Sequence, residues 1–140
     1  MKLTTYKINH TTPRLGVVEA NHIIDIEDVA KIKKEALPKT MLELIDLGLP
    51  EVARIQTLID SLTAEERSNC IYPLSNATLL APIPKPRKNI IGIGLNYTEH
   101  VAESARTLDT SNDLPQSPVI FSKPPTTVTG TNTEILLNPK

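Results

Sequence analysis

Apolar positions at the start of the chain fall in short β-branched runs between polar turns, and later ones take up a helical spacing. The runs predict three short strands at 3–8, 15–20 and 22–27, separated by Asn9-His10-Thr11-Thr12-Pro13-Arg14 and by Ala20-Asn21. Val17, Val18, Ile23, Ile24 and Ile26 supply the β-branched side chains that suit a pleated, half-buried surface. The connections are too short for parallel crossovers, so the pattern predicts an antiparallel meander. Asp25 and Glu27 then fall on one face of the third strand and read as a solvated edge. Thr40 is placed to cap a helix, with Glu43 three residues on and an apolar stripe of Met41, Leu42, Leu44, Ile45 and Leu47. Gly48 stops that helix and Pro50 opens a second, with apolar residues at 52, 55, 58, 59 and 62. The stretch 63–69 is polar and reads as solvated.

Composition changes near Leu80. Ala81-Pro-Ile-Pro-Lys-Pro-Arg87 is a stiff extended linker, and eight of the 12 prolines lie from Pro82 onward. That density leaves room for short strands and one substantial helix. Asn89–Gly94 reads as a buried strand that breaks at its glycines and opens into a helix near 96–106. Asn96 is the expected N-cap, with Glu99 as its capping-box partner. A further strand covers Val119–Ser122 and ends in Lys123, and Glu134–Lys140 reads as a strand or strand entry. The polar segment 106–117 suits a mobile connection.

The helix near 96–106 carries the candidate chemistry. His100 and Glu103, three residues apart, share a face, and a carboxylate there can hold and polarise an imidazole for general-base work. The plain alternative is a surface pair worth a few tenths of a kcal/mol. Lys123 is either a solvated strand end or a cation for a substrate carboxylate. Gly92-Ile-Gly94 lacks the third glycine of a dinucleotide fingerprint, since position 97 is Tyr97. The sequence has no Walker loop, no Gly-x-Ser-x-Gly elbow and no Cys/His spacing for zinc.

With 15 basic and 16 acidic residues the net charge is −1, which gives no basis for a nucleic-acid or anionic-membrane partner. Three tyrosines, one phenylalanine and no tryptophan argue against stacking platforms for single strands. The single Cys70 excludes an internal disulfide, and no apolar run approaches the roughly 20 residues of a membrane span. A cytoplasmic location is the resulting expectation.

From Leu80 onward the chain resembles the fumarylacetoacetate hydrolase family. The matching words are Leu80-Ala-Pro-Ile-Pro-Lys-Pro-Arg-Lys-Asn-Ile-Ile-Gly-Ile-Gly-Leu-Asn-Tyr-Thr-Glu-His-Val-Ala-Glu103, then Pro118-Val-Ile-Phe-Ser-Lys-Pro124 and Thr127-Val-Thr-Gly130. Residues 1–80 resemble the family's smaller leading domain, in Pro13–Val18 and Thr40–Ile45. The resemblance implies an α+β protein: a small N-terminal antiparallel sheet with two helices, then, over 81–140, the first strands and lid helix of a mixed β-sandwich or roll catalytic domain, incomplete here. It implies a metal-dependent hydrolase or decarboxylase of acylpyruvate-like or other short β-keto acids, in a family whose members also isomerise and hydrate such compounds, and a homodimer when full length. His100 and Glu103 then lie on the lid helix and activate a water, and Lys123 lies near the substrate. The family's magnesium or manganese is held by a Glu-x-Glu pair and a later Asp. This sequence has no Glu-x-Glu, and only Glu134 follows Asp113. No metal is therefore expected on this stretch of chain, which reads as the N-terminal part of the enzyme, inactive alone. The alternative is a non-catalytic interaction or dimerisation module derived from the family.

Overall fold

The computed structural model describes residues 1–9, 12–108 and 115–137. They divide into two compact units: Met1–Pro84 with the segment from Val128, and Lys85–Thr127.

In the first unit β1 (Leu3–Ile8), β2 (Arg14–Glu19) and β3 (His22–Asp25) form the expected meander. Two further strands, β4 (Ile71–Pro73) and β5 (Ala77–Leu79), flank it, giving an antiparallel sheet in the order β4-β3-β2-β1-β5. At three residues each these strands are too short to show alternation, and only long-range pairing such as Ile24 with Ile71 and Tyr6 with Leu79 creates them.

Among the described residues this unit has four helices, rather than the expected two: α1 (Ile26–Lys33), α2 (Met41–Leu47), α3 (Leu49–Asp60) and α4 (Ala64–Ser68). The first overturns the reading of Asp25 and Glu27 as a solvated strand edge. Asp25 is fully buried and caps α1, its carboxylate accepting the Asp28 backbone N–H at 2.8 Å, while Glu27 lies in the helix. An Asp at the end of a strand can stop it by serving the orphan donors of a following helix. The short α4 is announced by a capping box, Thr63 with Glu66, and has no apolar stripe to give it away. The other two helices follow their sequence signals. Thr40 Oγ1 accepts the Glu43 N–H at 3.2 Å, and Gly48, at φ +76°, ends α2 and precedes α3. Glu43 does not close the box; its carboxylate accepts the Lys39 N–H at 2.7 Å.

One face of the sheet builds the apolar core. Leu15, Val17 and Ile24 join Ile26 and Val29 of α1, Met41 and Leu44 of α2, Ile55 and Ile59 of α3, and Cys70. Burying each large aliphatic side chain contributes about 1.5–3 kcal/mol. The register, Tyr6 opposite Arg14, Gly16 opposite Asp25 and Ile23 opposite Tyr72, puts a polar network on the other face.

The second unit contains β6 (Ile90–Gly94), α5 (Thr98–Leu108) and β7 (Val119–Lys123). The two strands pair antiparallel from Ile90 opposite Lys123 to Gly94 opposite Val119. Two expectations fail here. The strand is exposed rather than buried, with Ile91 at 65 % and Ile120, diagonally across on the same face, at 68 %, because a two-stranded ribbon buries side chains only against its single partner. The break into the helix is made by Leu95, at φ +50°, and not by a glycine. Gly92 instead leaves room for the Phe121 ring, which a Cβ there would push aside. The expected strand at 134–140 is irregular over 134–137, and 138–140 lie outside the described residues. Of the expected mobile connection at 106–117, residues 109–114 likewise lie outside them.

Candidate functional site

The helix α5 starts one residue later than its sequence signal. The Tyr97 carbonyl accepts the Val101 N–H at 3.2 Å, so Tyr97 immediately precedes the helix and Asn96 sits one place too early for the expected N-cap. Glu99 lies in the first turn, where its carboxylate accepts the Thr98 hydroxyl at 3.2 Å. Val101 and Ser104 form the buried stripe of the helix. His100 and Glu103 occupy the neighbouring face, with His100 Nδ1 3.9 Å from Glu103 Oε2. That separation is within ion-pair range and beyond a hydrogen bond. The side chains are 39 % and 72 % exposed, so a substrate can reach them and water screens their attraction.

Motif spacing passed over one neighbour. The Tyr97 ring stacks on the His100 imidazole, with centroids 5.4 Å apart and planes inclined by 29°. The signal in the sequence was an aromatic residue three positions before the histidine, the same interval that brings Glu103 to its other side.

Beside this junction lies a pocket of about 350 Å³, lined among others by Ile93, Leu95, Asn96, Gln116, Ser117 and Val119. Apolar walls with a few amide and hydroxyl groups suit a small polar molecule. Lys123 stands at the other end of the ribbon: it pairs with Ile90, four residues beyond Val119, about 13 Å along the strand. Its Nζ lies over the Phe121 ring, 5.9 Å from the centroid. The structure thus gathers Tyr97, His100 and Glu103, and the strand register sets Lys123 apart from the strand–helix junction.

The most perturbed titrating groups belong to the first unit. Burial holds Asp25 above the usual carboxylate range, against the pull of the Tyr6 hydroxyl, the Asp28 N–H and Arg14. Burial acts on Asp28 in the same direction, but hydrogen bonds from Tyr72 and Lys31 and the charge of Arg14 outweigh it and hold that group below the range. Tyr72 is pushed up to about 12, first by donating to Asp28 at 2.7 Å and then by burial. The partners of this cluster are its own members, together with the first turn of α1, and it supports the fold.

Among the described residues no three His, Cys, Asp or Glu side chains come together as a metal site. A hard divalent cation needs several oxygen ligands, so these residues do not fit the magnesium or manganese that the sequence resemblance implies.

The chain is similar to known proteins in sequence and in fold. Residues 89–140 match the family model described as fumarylacetoacetate (FAA) hydrolase C-terminal. The chain is 36 % identical to the oxaloacetate tautomerase YisK of Bacillus subtilis, over 81 % of this chain and 38 % of that protein. It is 28 % identical to the human mitochondrial oxaloacetate tautomerase FAHD2A, over 100 % of this chain and 40 % of the relative. A crystal structure of a protein described as HpcE, from Mycobacterium smegmatis, superposes with a TM-score of 0.57 at 22 % identity, covering 96 % of this chain and 40 % of that one, a likeness of fold. The chain therefore spans about 40 % of the length of these relatives.

Proposed function

We propose, from the premise that this chain belongs to the fumarylacetoacetate hydrolase family, that it is the leading domain and lid-helix region of an enzyme that moves protons on oxaloacetate-like β-keto acids. Residues 1–80 are the leading domain in this reading. Residues 81–140 begin the catalytic domain, with β6 and β7 as the first strands of a mixed sandwich or roll. The observation that carries the proposal is the pairing of His100 with Glu103 on an accessible face of α5.

In keto–enol exchange His100 takes a proton from the carbon between the substrate's two carbonyl groups. The released electron pair forms the carbon–carbon double bond, and the keto oxygen gains a proton. Glu103 stabilises the charge that the imidazole acquires. The same base acting on a water gives hydrolysis of an acylpyruvate carbon–carbon bond. Lys123 stands at the far end of the ribbon, and its proposed role is to attract the substrate's carboxylate charge rather than to touch the carbon that His100 deprotonates. Family members generally depend on a divalent metal, whose ligands in this reading lie outside the described residues. A homodimer and a cytoplasmic location complete the reading; no helix among the described residues is long and apolar enough to cross a membrane.

The test follows the enol absorbance of oxaloacetate with the protein that contains this chain, supplied with magnesium or manganese. Accelerated decay that is lost in His100→Ala supports a tautomerase. Cleavage of an acylpyruvate without enol decay moves the reading to hydrolysis. Failure of both leaves the docking module, which the exposed Ile91, Ile93, Ile120 and Phe121 of the ribbon favour.

A further inference from the structure

The distance from His100 Nδ1 to Glu103 Oε2 is 3.9 Å, too long for the carboxylate to fix the imidazole by a hydrogen bond. A ring that is 39 % exposed and lacks such a bond is free to leave the rotamer that faces Glu103. Tyr97 covers a face of this ring, at 5.4 Å between centroids. Its own backbone is anchored, because its carbonyl accepts the Val101 N–H that begins the helix. The left-handed Leu95 and the ribbon before it set the direction from which Tyr97 arrives.

We infer that Tyr97 is a positioning residue for His100. Stacking confines the imidazole to the orientation in which Nδ1 faces Glu103, and this leaves Nε2 as the nitrogen that meets substrate. The phenol ring supplies the face, so the hydroxyl is dispensable and an aromatic ring is required. The role rests on the reading of His100 as the base.

Two measurements test it. In the isotopically labelled 140-residue chain, the imidazole carbon-bound protons of His100 should be shielded by the phenol ring current. Tyr97→Phe should keep that shielding, and Tyr97→Leu should move the resonances downfield toward those of an unstacked histidine. In the protein active on oxaloacetate, Tyr97→Leu should lower kcat about 10-fold with KM little changed, and Tyr97→Phe should restore it, since misplacing a reacting group by a fraction of an ångström to an ångström costs up to about 100-fold. Unchanged resonances in Tyr97→Leu would overturn the stacking itself. Normal turnover in Tyr97→Leu beside an inactive His100→Ala would overturn the positioning role alone. Normal turnover in His100→Ala would overturn the base and, with it, the role given to Tyr97.

Discussion

Arg14 Nη2 stands 2.6 Å from Asp25 Oδ1, a carboxylate with no solvent exposure. The same nitrogen lies 3.0 Å from Asp28 Oδ1, and the Tyr6 hydroxyl donates to the other oxygen of Asp25. One guanidinium thus ties β2 to the first turn of α1, and one buried carboxylate serves as both cap and ion-pair partner. Asp25→Ala removes the cap and leaves Arg14 and Tyr6 short of a partner, an expected loss of about 2–4 kcal/mol. Asp25→Asn keeps a capping oxygen for the Asp28 N–H and should lose about half as much. Urea unfolding of the two variants separates these contributions, and equal losses would show that the cap contributes nothing.

Tyr72 gives a pH signature. Asp28 is depressed below its unfolded value, so its contribution is present above about pH 4 and is lost as pH falls through the folded value. Tyr72 is raised to about 12, so its contribution is full below about pH 10 and is lost between roughly 10 and 12. Tyr72→Phe should therefore cost about 1–2 kcal/mol on a plateau between these limits, with the difference from the parent narrowing on both sides. Asp25, which is raised, has the opposite sign to Asp28: its contribution is greatest in acid and is lost as pH rises through its folded value. Chemical denaturation across pH checks the shape, and a flat difference would mean that the Tyr72–Asp28 bond does not form.

Two glycines pack closely for different reasons. A Cβ on Gly16 would meet Ile23 Cγ2 at 2.5 Å and Tyr6 Cε1 at 2.9 Å, both on side chains without solvent exposure. A Cβ on Gly92 would meet Phe121, which is 45 % exposed and has space to swing away. Gly16→Ala should therefore cost about 1–3 kcal/mol and Gly92→Ala under about 1, measured by thermal unfolding. The reverse order would mean that the ribbon is the more constrained of the two.

The sequence was legible where one local signal decided the outcome. The β-branched pairs Val17-Val18 and Ile23-Ile24, set off by turn signals and short connections, predicted the meander, and Thr40 with Gly48 bracketed a helix. It was not legible where the deciding partner was distant. β4 and β5 exist through pairing with β3 and β1, and Asp25 reads as a strand residue until Arg14, Tyr6 and the Asp28 N–H converge on it. At the candidate site the spacing of His100 and Glu103 was enough to place them together. Tyr97 follows the backbone turn at Leu95; Gly94 and Asn96 announce a break there, but not that the leucine between them takes the left-handed conformation or that the ring then stacks on His100.

The proposed base is tested by steady-state kinetics of three variants in the protein that contains this chain, with oxaloacetate as the substrate. His100→Ala should reduce turnover by about 10²–10⁴, the usual effect of losing a general base. Glu103→Gln should be milder, because the imidazole keeps a polar neighbour yet loses the charge that stabilises its protonated form. Lys123→Met should raise KM with little change in kcat, if the ammonium meets substrate charge equally in ground and transition states. A pair that only decorates the surface of α5 predicts near-normal turnover for the first two variants and a stability change of about half a kcal/mol. Its exposure makes that alternative a real competitor: at 3.9 Å and half in water, the two side chains have little attraction of their own to justify the spacing. Turnover therefore decides, and full activity in His100→Ala would end the assignment.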